Sequence, residues 1–105
     1  MNTLGDVALI FVGKPDTVLL ADDITLVRVG TDETIMKPAF GQFLQCPENS
    51  IIVRVQRKDI LSPKYLYWVF EHLFISGQSK QMQRGSLQRY VQTEQIRKIG
   101  LEPRG

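Results

Sequence analysis

Apolar and polar positions alternate with two different periods along the chain, and the change of period divides it. Residues 5–13, "GDVALIFVG", form a continuous apolar run opened by Gly-Asp and closed by Gly13. Such a run predicts a strand buried on both faces. "ITLVRV" at 24–29 alternates and runs into "GTDET", which predicts a strand leading into a hairpin. Residues 35–45, "IMKPAFGQFLQ", are apolar enough to pack, but Pro38 and Gly41 argue against a regular central strand. "NSIIVRV" at 49–55 predicts another strand.

From residue 62 the period becomes helical. Ser62 followed by Pro63 places an N-cap before a proline at the first helical position, where the missing N–H is no loss. The helix "PKYLYWVFEHLFIS" is apolar nearly all round, and Lys64, Glu71 and His72 form its polar stripe. A helix of this kind is expected at the centre of the core, with Trp68, Phe70 and Leu73 largely buried. Gly77 ends it. A short amphipathic helix is expected around "QSKQMQR", closed by Gly85. "LQRYV" leans towards strand, Thr93 is expected to cap a helix of one to two turns through Lys98, and "IGLEP" closes in a strand. The sum is a single domain over residues 1–105 of mixed α/β (α+β) class. Its expected form is a small twisted, partly antiparallel sheet or open barrel, packed on a central apolar helix with short helices after it.

Charge adds an asymmetry that the net value of +2 conceals. Residues 1–53 hold three cations against seven acids, whereas residues 54–105 hold ten cations against four. A basic second half points towards a polyanionic partner. A single cysteine, Cys46, excludes an internal disulfide. No apolar run is long enough to cross a bilayer, and the start of the chain has no basic region of the signal-peptide type, so a cytoplasmic protein without membrane contact is expected.

Catalytic chemistry has little to stand on. Cys46 and His72 are alone in their types and far apart, so they cannot make a Cys/His metal site. Cys46 is expected as a packed thiol and His72 as a half-exposed helix residue. Asp22–Asp23 and Asp32–Glu33 sit in turn contexts, where Asp serves turn geometry. Neither a P-loop nor a dinucleotide-binding glycine motif occurs. The sequence therefore predicts no enzyme, no metal and no cofactor. Nucleic-acid binding is better supported. Lys80, Gln81, Arg84, Ser86, Gln88 and Arg89 cluster around Gly85, and "RVQRKD" adds Arg54, Arg57 and Lys58. Arg and Lys neutralise phosphates, Gln can bond adenine and Arg guanine with paired hydrogen bonds, and a glycine admits a close phosphate.

In this order the motifs resemble the target recognition domain of the DNA-specificity subunit of type I restriction–modification enzymes. The resemblance runs through Gly5-Asp6-Val7 with Gly13, then Pro63, Tyr65 and Leu66 opening a helix. It continues through Gly85, Ser86 and Gln88, and closes on Val91, Ile96, Ile99, Leu101 and Pro103. Gly100 and Glu102 stand where that closing motif usually has prolines. It implies a non-catalytic module that selects double-stranded DNA by sequence, with separate methyltransferase and restriction subunits as partners. Family members carry a further segment before the Gly-Asp strand and spacer helices after the closing motif. The chain is thus expected to correspond to the latter part of such a domain and to self-associate, as a homodimer or larger species, through the surface those parts would cover. A second reading is a protein-interaction module that keeps the fold without reading DNA; a third is a small RNA-binding regulatory protein.

Overall fold

Strand β5 (Ser50–Val55) is buried except for a half-buried Arg54 and pairs on both sides. It is the "NSIIVRV" run, rich in β-branched residues that suit a pleated surface packed on two faces. One flank pairs antiparallel with β1 (Ala8–Val12), register Ile10 to Val53. The other pairs antiparallel with β2 (Ile24–Val27), register Thr25 to Ile52. β4 (Pro38–Phe40) pairs with the free side of β2, giving a four-stranded antiparallel sheet in the order β1-β5-β2-β4. Between β2 and β4 the chain forms β3 (Val29–Gly30), which leaves the main sheet at Arg28 and pairs with β6 (Arg89–Tyr90) in a separate two-stranded ladder. The computed structural model describes residues 3–30, 34–41, 45–76 and 89–100, of which Arg89 and Tyr90 are described by backbone alone.

The expected mixed α+β class is the class observed. α1 (Pro63–Ser76) begins at the proline, and the Leu66 N–H donates to the Ser62 carbonyl at 3.0 Å. It lies over the face of the sheet formed by Ile10, Ile24, Leu26, Ile51, Val53 and Val55, burying Leu66 and Phe70. Tyr67 and Leu73 pack at the margin of this core, with the Tyr67 ring stacked on Phe40 at 4.4 Å. α2 (Thr93–Arg97) seats Ile96 in the same core. Its cap is Gln92 rather than Thr93: the Gln92 N–H donates to the Gln95 side-chain oxygen at 3.1 Å, while the Thr93 hydroxyl accepts from Arg97.

Two expectations are corrected. The apolar run at 8–12 is an edge strand, and Leu9 and Val12 are exposed rather than buried on both faces. Among the described residues α1 is covered on one side only. Phe70 is buried and Leu73 half-buried, but Trp68 is 56% exposed. The reason is geometric: a single sheet face offers one surface to a helix, and among the described residues no second layer packs on the opposite side of α1, where Tyr65, Trp68, His72 and Ile75 are exposed. Pro38 and Gly41 do keep β4 at the sheet edge, as the proline rule requires. The expected helix around residues 78–84, the Gly85 cap and the closing strand beyond Gly100 lie outside the described residues.

The second face of the sheet carries Leu9, Phe11, Thr25, Ile52 and Arg54; Arg54 reaches Val18 and Asp23 of the connection from β1 to β2, and Gly13 lies against Cys46 and Ile52. Close packing here requires Gly13. A methyl group at that position would stand 2.5 Å from Cys46 Sγ and 3.0 Å from Ile52 Cγ1. Gly13→Ala is therefore expected to destabilise the protein by about 1–3 kcal/mol. Adding Cys46→Ala should return part of that loss, because the sulfur is the nearer obstacle. Urea denaturation of both single variants and the double variant checks the coupling; additive losses would show that Gly13 does not abut Cys46.

Candidate nucleic-acid interface

The cations expected to meet nucleic acid divide into different local environments. Arg54, in β5, points to the second face. Its Nε and Nη2 donate to the two carboxylate oxygens of Asp23 at 2.9 and 2.7 Å, and Nη2 also donates to the Val18 carbonyl at 3.2 Å. The guanidinium lies 5.6 Å over the Phe11 ring. Asp23 is 1% exposed and its carboxylate also accepts the Leu20 N–H at 2.8 Å. The hydrogen bond to Asp23 holds the Arg54 guanidinium above its ordinary pKa, against a smaller opposing effect of burial. Arg54 is thus a structural clamp between β5 and the connection before β2.

Arg57 and Lys58 follow β5 in a tight turn in which the Ile60 and Leu61 N–H groups donate to the Arg57 carbonyl. Arg57 pairs with Asp59 through two hydrogen bonds of 3.2 and 3.1 Å, and Lys58 reaches Asp22 at 3.0 Å. The hydrogen bond from Arg57, first among the causes, lowers the pKa of the Asp59 carboxyl below its ordinary value. Any stability from that pair is present above the ordinary carboxylate range and fades as the pH falls through the lowered value of Asp59. Both partners are exposed, so water and salt leave this pair little weight. Both cations stand on the surface, each with a carboxylate beside it.

Arg89 lies elsewhere. In the β3–β6 ladder it pairs with Gly30, beyond the end of β2 where Val27 meets Ser50. Arg57 and Lys58 lie beyond the other end, where Ile24 meets Val53 and Lys58 touches Asp22. Arg89 and the Arg57–Lys58 pair are therefore set beyond opposite ends of β2. Lys80, Gln81, Arg84, Ser86 and Gln88 lie outside the described residues, between the end of α1 and the start of β6.

Next to β6 the structure brings together residues that the sequence did not single out. The Val91 N–H donates to the Arg28 carbonyl at 2.9 Å, where β2 gives way to β3. Beside this junction Val12, Arg28, Gln92, Thr93 and Glu94 line a shallow cleft of about 280 Å³. The Nε of Arg28 is buried without a hydrogen-bond partner, and no ion pair to Arg28 occurs among the described residues. A buried guanidinium N–H without an acceptor costs about 1–3 kcal/mol, so the site favours an incoming acceptor. The signal available in the sequence was slight: one arginine at the polar position that ends an alternating strand.

The residues that carry the family resemblance are mostly anchors. Gly5 lets α2 approach, since a methyl group there would stand 3.2 Å from Arg97 Cβ. Asp6 accepts the Thr3 N–H at 3.1 Å, and Arg97 Nη2 donates to the Ile10 carbonyl at 2.7 Å. Leu66, Val91 and Ile96 are buried and Ile99 packs against them. Cys46 is buried, its sulfur 3.6 Å from the Ser50 hydroxyl, and His72 stacks on Trp68. Among the described residues no group of three His, Cys, Asp or Glu side chains gathers as a metal site, and no helix is long and apolar enough to cross a membrane. Compared with known proteins, the chain matches no family model, no curated protein and no solved structure.

Proposed function

We propose that the protein binds double-stranded DNA through the β3–β6 end of the sheet, as a target-recognition-like module of a cytoplasmic restriction–modification system. It carries no catalysis in this reading and works with separate methyltransferase and restriction subunits. The observation that carries the proposal is Arg28: a guanidinium with an unsatisfied N–H, set in a cleft beside the strand that ends the Arg/Gln-rich segment. Once the side chain turns outward to expose Nε, a phosphate oxygen would supply the acceptor that this group lacks. The basic second half of the chain and the ordered motifs from Gly5-Asp6 to Ile99 support the same reading.

Fluorescence anisotropy on a duplex at several salt concentrations tests it. Each phosphate-contacting cation should contribute roughly 0.9 to the slope of log K against log salt. Arg28→Met should flatten the slope by about 0.9, and Arg84→Ala with Arg89→Ala by nearly two. Gln88→Ala should instead relax base preference by about 1–3 kcal/mol at one position. Arg28→Met should also leave stability unchanged or raised, because it removes an unsatisfied buried donor while keeping the apolar stem. Slopes identical to wild type in both the Arg28 and the Arg84/Arg89 variants would reject the proposal. The protein-interaction reading keeps one specific support, the exposed aromatic side of α1.

A further inference from the structure

The uncovered side of α1 has a regular pattern. Tyr65, Trp68, His72 and Ile75 recur at steps of three, four and three residues, the spacing of a two-helix seam. All four are exposed, Ile75 at 74%. Their rings are ordered: Trp68 stacks on His72 at 5.5 Å and 11°, and Tyr65 stacks on Trp68 at 6.2 Å and 25°. A ladder of rings held this way loses little side-chain freedom on docking. The stripe lies opposite Leu66 and Phe70, so the helix presents one apolar side to the core and a second to the outside.

The flank of the stripe identifies the occupant. Lys64 and Glu71 lie on the same edge, about two turns apart, and neither makes an ion pair among the described residues. In an antiparallel pair of such helices, residues on that edge face one another across the seam. A two-fold axis passing between Tyr67 and Trp68 then sets Lys64 against Glu71 of the partner subunit, and Glu71 against the partner's Lys64. The edge is complementary to itself in the antiparallel sense, as a two-fold interface demands. One cation balanced by one acid also gives nucleic acid no net attraction to this side of the helix.

We infer that α1 is the interface of a homodimer, two antiparallel copies meeting along Tyr65, Trp68 and His72 with paired Lys64–Glu71 contacts at the edges, Ile75 lying just past the start of the partner's helix. This inference stands apart from the DNA-binding reading, because the Arg28 cleft is lined by Val12, Arg28 and the start of α2 and uses none of the stripe.

Sedimentation equilibrium of the full chain across the micromolar range tests it. The wild type should fit a monomer–dimer equilibrium. Trp68→Glu should weaken the dimer by about thirtyfold or more, as for an anchor near the centre of an interface. Circular dichroism and an unchanged denaturation midpoint should show that this exposed position leaves the fold intact. Lys64→Glu and Glu71→Lys should each weaken association about tenfold, since both symmetric pairs become repulsive. The swapped double variant should recover wild-type association, a result only a two-fold pairing of these residues gives. A monomeric wild type, a dimer indifferent to Trp68→Glu, or a double swap as weak as its parents would each overturn the inference. So would a Trp68→Glu variant of unchanged mass with weakened duplex binding, which would assign the stripe to nucleic acid.

Discussion

Arg54→Leu is expected to lower stability by about 3–5 kcal/mol, measured as the shift of a urea or guanidinium denaturation midpoint at neutral pH. The change leaves the Asp23 carboxylate in place, 1% exposed, with the Leu20 N–H as its remaining hydrogen-bond donor among the described residues. An ionised carboxylate without a cation in such a setting is among the costliest single defects a small domain can carry. Asp23→Ala should be milder, at about 2 kcal/mol, because the Arg54 side chain is 27% exposed and can turn its freed N–H groups to water. The double variant should lose less than the two single losses added together, since neither charge then lacks its partner. Equal and additive losses would mean that the two groups do not act as a pair. The outcome bears on function too: a stability collapse in Arg54→Leu would explain a loss of DNA binding without any contact between Arg54 and nucleic acid.

The second large effect contrasts two aromatic residues two positions apart. Phe70→Ala should cost about 3–5 kcal/mol, because the ring is buried between the helix and the apolar face of the sheet. Trp68→Ala, although it removes a larger side chain, should change the monomer's stability by less than about 1 kcal/mol, since over half of that residue already meets water. Denaturation at a protein concentration low enough to keep the chain monomeric separates the two. A midpoint shift for Trp68→Ala as large as that for Phe70→Ala would place Trp68 in the core and remove the free side of α1.

That contrast also shows what local pattern can and cannot tell. Ser62-Pro63 announces the start of α1, because capping chemistry is contained within a few residues. β5 is equally legible, since β-branched residues in an uninterrupted run suit a strand flanked on both sides. The apolar run at 8–12 reads much the same, yet it became an edge strand. Which strands flank which is decided by pairing across dozens of residues and leaves no local mark. Likewise nothing in α1 says which of its two apolar sides meets the sheet, so Trp68 and Phe70 look alike in sequence. Among the cations, Arg54, Arg57 and Lys58 differ only through acids brought to them by the fold, Asp23 and Asp22 from the far end of a long connection and Asp59 from a turn. Arg28 carries only the slight mark of a polar position ending an alternating strand; its unsatisfied N–H follows from the place where β2 gives way to β3. Of the site proposed from sequence, Lys80, Gln81, Arg84, Ser86 and Gln88 fall outside the described residues, and the anchors on either side of them are what the fold displays.

The position of β5 in the middle of the sheet governs how the protein comes into being. During synthesis β1 emerges early but has no strand of the sheet to pair with until β5 has been made, whereas β2 can first pair with β4 and gains β5 afterwards. The turn around Leu4 is later still, because its N–H is satisfied by the carbonyl of Ile99 and the Thr3 bridge needs Gly100. A nascent chain halted before β5 holds an apolar run at 8–12 without its strand partner, which is a hazard for strand-to-strand aggregation. Completion of the fold therefore waits until Ile99 and Gly100 have been made and can reach Thr3 and Leu4. Its rate should be set by long-range closure, in the slow regime of non-local sheets, rather than by the quick winding of α1.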